Sequence, residues 1–215
     1  MKSVRLLFDL DGTLTDPFIG ITASIQYALG EIGIAAPEAA DLKWCIGPPL
    51  RESFAKMVGP ERADQAVLKY RERFASIGLL ENRVYPGIPE ALRDLVAEGF
   101  QMHVVTSKPT VFAMRIIEHF ELSPFFTTVQ GSELDGTRAH KDVLIEHVLS
   151  TLRVDPIDAV MVGDRAHDMV GAGRNRVRGL GVLWGYGTED ELRSAGAFAC
   201  AVVPGDIVTC VQDRP

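Results

Sequence analysis

Two hydrophobic periodicities divide the chain. Residues 4–8 form a short, almost continuous apolar run that reads as a buried strand. From Asp16-Pro17 the spacing turns helical: Asp16 suits an N-cap and Pro17 a first helical residue. Ile21, Ile25, Ala28, Leu29 and Ile32 then recur on one face until Gly33. Helical stretches follow around 41–45, 50–58 and 61–77, with breaks at Gly47-Pro48-Pro49 and Gly59-Pro60. No strand pattern returns until after Tyr85-Pro86-Gly87-Ile88-Pro89. Residues 17–85 therefore read as an all-helical module inserted into a core made of 1–16 and 86–215.

Beyond residue 86 the two patterns alternate. Strands are predicted at 101–106, 126–130, 158–162, 179–183 and 198–203, and helices at 89–98, 110–120, 141–152, 168–175 and 189–195. Strand runs that are apolar throughout, separated by amphipathic helices, predict an α/β fold: a parallel sheet covered on both faces. Only the tail after Pro204 is weakly patterned.

Composition narrows the function classes. With 215 residues, the chain has room for one core and a sizeable insertion. A formal net charge of −7 argues against a nucleic-acid polymer or an anionic membrane surface as partner. It leaves room for a small phosphorylated metabolite, because a few local cations can dominate a cleft. No apolar run approaches membrane-spanning length. Cys45, Cys200 and Cys210 show no metal-ligand spacing and cannot all pair with one another, which favours a reducing cytoplasm.

The candidate chemistry sits where apolar runs stop. The first run ends in Asp9-Leu-Asp11-Gly12-Thr13, two carboxylates that a buried strand tolerates only if something cationic meets them. A hard cation such as Mg²⁺ takes oxygen ligands and would serve. Thr106-Ser107 lies at the tip of the 101–106 strand, where a hydroxyl and a following amide suit a phosphate oxygen; a helix cap is the plainer meaning. Lys141 opens a helix against its macrodipole and reads either as a solvated surface residue or as an ammonium aimed at the acids. The 158–162 strand runs into Gly163-Asp164, with Asp168 four residues later on the same side of the helix that follows. Capping alone would explain one such acid pair; two strand-end pairs in one chain point to a shared site. Gly179, Gly181, Gly185 and Gly187, around Trp184 and Tyr186, read as backbone turns. Of the five histidines only His140 and His167 neighbour these motifs.

Taken together, Asp9-x-Asp11-Gly12-Thr13, Thr106, Lys141 and Gly163-Asp164-x-x-x-Asp168 resemble the haloacid dehalogenase superfamily of phosphohydrolases, in that family's order. Ile46-Gly-Pro-Pro-Leu50 and Gly181-Val-Leu-Trp-Gly-Tyr-Gly187 resemble its bacterial 5′-nucleotidase-like branch, a neighbour of the phosphoglycolate phosphatases. Those phosphatases usually carry Lys-Pro where this chain has Lys141-Asp142. The resemblance implies a Rossmann-like core with a cap of the first type, hinged at Asp16-Pro17 and Tyr85-Pro86-Gly87. It also implies Mg²⁺ on Asp9, Asp11 (through its backbone carbonyl), Asp164 and Asp168. Asp9 would be the nucleophile, Asp11 the acid and base, and Lys141 the cation steadying nucleophile and phosphate. Gly12, Thr106 and Ser107 would hold the phosphate, with Arg51 a candidate contact to the far end of the substrate. Four carboxylates against Lys141 and Mg²⁺ would leave the site one negative charge in excess. The expected enzyme is a monomer or homodimer. A sugar-phosphate mutase shares all four motifs, and an inactive phosphate-binding module is the reading from outside enzymes.

Overall fold

The computed structural model describes residues 4–212. Strand β1 is Arg5–Phe8, followed by a two-residue strand β2 at Thr15–Asp16. A helical insertion comes next: α1 (Phe18–Glu31), a 3₁₀ turn at Ala39–Cys45, α2 (Leu50–Val58), α3 (Pro60–Arg73) and a π turn at Phe74–Gly78. Strand β3 (Arg83–Val84) then pairs antiparallel with β2. The rest alternates: α4 (Ile88–Ala97), β4 (Gln101–Pro109), α5 (Thr110–His119), β5 (Thr128–Ser132), α6 (Lys141–Leu152), β6 (Ala159–Gly163), α7 (Ala166–Arg174), β7 (Arg178–Val182), α8 (Glu189–Ser194), β8 (Ala197–Ala201) and α9 (Asp206–Gln212).

Six strands form one parallel sheet in the order β5-β4-β1-β6-β7-β8, with helices on both faces. The side-chain period of two explains the layers. Leu6 and Phe8 of β1, with Val104 and Val162 beside them, face a core shared with α4, α5, α9 and the insertion. Leu7, Val105 and Met161 face the opposite way, onto Leu144, Ile145 and Val148 of α6 and Ala172 of α7. β1 is flanked by β4 and β6, so the strand order reverses beside it. Ligands of open α/β sheets bind at the carboxyl ends of strands at such a reversal. Asp9 stands there.

Three expectations need correction. The segments expected to be hinges are not free of strand: β2 and β3 clip the two crossings of the chain together. The weakly patterned tail is helical over Asp206–Gln212, and Ile207 and Val211 of α9 are buried against the core. The N-cap of α1 is Pro17 rather than Asp16, although Asp16 Oδ1 does accept a hydrogen bond from Phe18 N.

His103 on β4 is buried, its Nδ1 3.0 Å from Thr128 Oγ1. Burial, with Arg5 adding, holds its pKa at about 4, below the usual 6.5. Between these values the unfolded chain binds a proton that the folded chain excludes, so stability falls as the pH drops through that window. His103→Gln removes this contribution. The stability gap between wild type and variant, from urea titrations, should therefore narrow from about pH 7 to about pH 4. A gap independent of pH would contradict this.

Candidate active site

The loop after β1 is fixed from three directions. Asp9 N donates to Val162 O of β6 at 2.9 Å. Trp184 Nε1 donates to Thr13 O at 2.9 Å, and Gly12 N to Thr15 O at 2.7 Å. Gly12 has φ +87°, and a Cβ there would lie 2.2 Å from Asp164 Oδ2, so no side chain fits. Gly185 is equally constrained, because a Cβ would meet Gly12 O at 2.3 Å. The glycines around Trp184 are thus more than turns after a strand: they let two loops close on Asp164.

The strand-end acids converge. Asp9, Asp11, Asp164 and Asp168 are all buried. Lys141, at the first turn of α6, is buried too; its Nζ lies 2.9 Å from Asp9 Oδ1 and 2.8 Å from Asp168 Oδ1, and donates to Val105 O at 2.9 Å. The ammonium's three protons thus have three oxygen neighbours. The surface reading of Lys141 fails. Asp168 plays both parts considered for it, since Oδ2 caps α7 by accepting from Arg165 N at 3.1 Å while Oδ1 faces Lys141. Asp164 accepts from Thr13 Oγ1 at 3.3 Å and Tyr186 N at 2.8 Å.

Burial pushes Asp9 up to about 6; Lys141 opposes this, while Asp168 and Asp11 add to it. Burial, then Asp168 and Asp9, raise Asp164 well above the carboxylate range. For Lys141 burial favours the neutral form, but Asp168 and Asp9 outweigh it and hold the ammonium above its usual value. Asp168 is likewise held below the usual carboxylate value, burial being overcome by Lys141 and His167.

A second buried ammonium went unnoticed in the sequence. Lys108, near the end of β4, places Nζ 2.7 Å from Asp11 Oδ2. Four carboxylates thus face two lysines, an excess of two negative charges, which corrects the balance drawn with Lys141 alone. Asp11 Oδ1 is buried without a hydrogen-bond partner. A divalent cation with hard oxygen ligands fits this donor set: it neutralises the excess and relieves the repulsion that raises Asp164. Among the described residues, Asp9, His167 and Asp168 form a group whose ligand atoms all lie within 4.8 Å of one another, and Asp164 is not part of it. His167 Nε2 has no hydrogen-bond partner, and burial lowers its pKa. An imidazole suits softer metals than Mg²⁺.

A cavity of about 320 Å³ opens above Asp9 and Asp11, between the strand ends and the insertion. Thr106, Ser107 and Lys108 line its floor; Leu50, Tyr70 and Phe74 belong to its other side. Thr106 Oγ1 accepts from Lys108 N at 3.3 Å, and Ser107 Oγ is buried without a partner. Arg51 borders the cavity but is exposed and paired with Asp64 at 2.6 Å. His140 is exposed, 3.3 Å from Glu52. The insertion is seated on the core: Arg165 Nη1 donates to Ile46 O at 2.9 Å, Arg71 Nη2 to Leu134 O at 2.6 Å, and Arg115 Nη1 to Ala75 O at 2.8 Å.

The comparisons with known proteins agree with this geometry. The family model described as haloacid dehalogenase-like hydrolase matches residues 6–182, and the chain belongs to that family. A 5′-nucleotidase from Pseudomonas aeruginosa is 52% identical over 196 residues, covering 90% of this chain and 89% of that protein. The tyrosine-protein kinase PtkA of Mycobacterium tuberculosis is 39% identical, covering 86% of this chain and 64% of its own length. A predicted phosphatase from Clostridium acetobutylicum superposes with a TM-score of 0.95 at 38% identity, covering 99% of each chain. Within the family, this protein is a phosphatase, a phosphoric monoester hydrolase.

Proposed function

We propose that the protein is a Mg²⁺-dependent phosphatase of small phosphomonoesters, nucleoside 5′-monophosphates foremost, working through an aspartyl-phosphate on Asp9. The observation that carries this is the buried pair Asp9 and Asp11, braced by Lys141 and Lys108 beneath one cavity. Asp9 attacks phosphorus in line with the departing oxygen. Asp11 gives that oxygen a proton, then takes one from the water that hydrolyses the acyl phosphate. Lys141 holds Asp9 against Asp168, while Thr106, Ser107 and the backbone at Gly12 hold the phosphoryl oxygens. Asp9, Asp164, Asp168 and the backbone carbonyl of Asp11 would hold Mg²⁺, which would supply charge neutralisation and Lewis acidity.

In this reading the insertion, residues 17–85, is a cap that excludes water and shapes the leaving-group pocket, hinged on β2 and β3. Tyr70 and Phe74 stack at 5.1 Å with 16° between their planes, and Phe74 meets Phe112 edge-on at 5.5 Å. A cavity of about 320 Å³ beside such rings suits a nucleoside better than a two-carbon acid. Lys141-Asp142 in place of Lys-Pro points the same way. Cys45, Cys200 and Cys210 form no disulfide, which favours the cytoplasm, with the enzyme as monomer or homodimer.

Phosphate release from nucleoside 5′-monophosphates, phosphoglycolate and hexose phosphates tests the reading. Release is expected to be fastest from the nucleotides with Mg²⁺ present. Chelation should slow it at least about 10²-fold, and restoring Mg²⁺ should recover it. Activity untouched by chelation, or none on any ester, would overturn the proposal.

A further inference from the structure

Lys108 is held between two partners that belong to different parts of the molecule. On one side its ammonium meets Asp11 Oδ2 at 2.7 Å, both side chains less than a tenth exposed. On the other it lies 4.5 Å from the ring centroid of Phe74, within range of a cation–π attraction that strengthens away from water. Phe74 opens the π turn of the insertion and is itself buried. The pairing of β4 with β5 shifts register between Thr106 and Pro109, the kind of irregularity that re-aims a side chain. Oδ2 of Asp11 is thereby occupied, and Oδ1, buried without a partner, is the oxygen left for the reaction.

We propose that Lys108 is the positioning residue for Asp11, and that Phe74 makes this positioning depend on the insertion being seated. The inference rests on Asp11 acting as acid and base, as proposed above. In the first step the bond from Asp9 oxygen to phosphorus forms and the ester P–O bond breaks. The proton on Asp11 Oδ1 passes to the leaving oxygen while Lys108 keeps Oδ2 in place. With the insertion lifted, Lys108 loses the ring above it and Asp11 its fixed orientation. Proton delivery is thus withheld until the pocket is closed over a substrate.

The test compares two esters by kcat/KM, which reports on events only up to departure of the leaving group. Nitrophenolate leaves without a proton; the alkoxide of a nucleoside 5′-monophosphate needs one. Lys108→Met keeps the stem against Phe74 and removes the charge. It should lower kcat/KM for the nucleotide about 10²-fold, the scale of a misplaced catalytic group, with a loss at least about tenfold smaller for 4-nitrophenyl phosphate. Phe74→Leu should show the same selectivity more weakly, and Lys108→Arg should recover part of the nucleotide rate. If Lys108→Met does not fold, Lys108→Arg and Phe74→Leu still report the selectivity. Equal losses for both esters would overturn the positioning role and make Lys108 a phosphate contact. Wild-type protein that hydrolyses neither ester would overturn the phosphatase reading beneath it as well.

Discussion

Asp9→Asn is expected to lower kcat by more than about 10⁴-fold on every ester the wild type hydrolyses, because it removes the nucleophile itself. The fold should survive the change. Asparagine is nearly isosteric, the backbone bond from position 9 to Val162 O is untouched, and Lys141 retains Asp168 as its counter-charge. Removing one of four clustered carboxylates also relieves repulsion. Circular dichroism and thermal melting should therefore be close to wild type while steady-state phosphate release disappears. Full turnover by a folded Asp9→Asn protein would move the chemistry elsewhere.

Lys141→Met should damage both stability and rate. Asp9 and Asp168 lose the ammonium that lies within 2.9 Å of each, and buried charge without its partner costs about 3–5 kcal/mol. The penalty is largest at neutral pH. It shrinks as the pH falls, because Asp9, already at about 6, moves higher still and takes up a proton without cost to the fold. A protonated Asp9 is a poor nucleophile, so kcat should fall about 10²–10³-fold at neutral pH, the scale of losing one preorganised charge stabiliser. Denaturant titrations at two pH values and steady-state kinetics check the two halves separately. An unchanged unfolding midpoint at neutral pH would mean that the buried pairing is not formed.

The core elements were legible because each depends on local pattern. Apolar runs ended at polar residues, Asp9, Thr106 and Asp164, and those ends now surround one point. The alternation of strand and helix after residue 86 carried the parallel sheet with it. The opening Lys of α6 was visible as a cation placed against its helix dipole, though only the folded chain decides between surface and site. Other features depend on contacts between residues far apart. β2 and β3 have two residues each, too few to show a period, and pair across the whole insertion. Trp184 reaches Thr13, and the Tyr186 hydroxyl donates to Asp16, through loops whose glycines alone were apparent. Lys108, next to Thr106-Ser107, drew no reading of its own. The signal it offered was a cation at an apolar strand end, the mirror of the argument made for Asp9. Arg51 borders the cavity, as its place beside Gly47-Pro48-Pro49 suggested, but its pairing with Asp64 was not legible. The charge balance also required Lys108 before it could match a dication.

The central claim is that Asp9 becomes covalently phosphorylated. Protein mixed with excess nucleoside 5′-monophosphate and Mg²⁺, quenched within the first turnover and reduced with borohydride, should yield a peptide in which residue 9 has been converted to homoserine. Asp9→Asn protein should yield none. Rapid phosphate release by wild-type protein with no modification at residue 9 at any quench time would contradict the account.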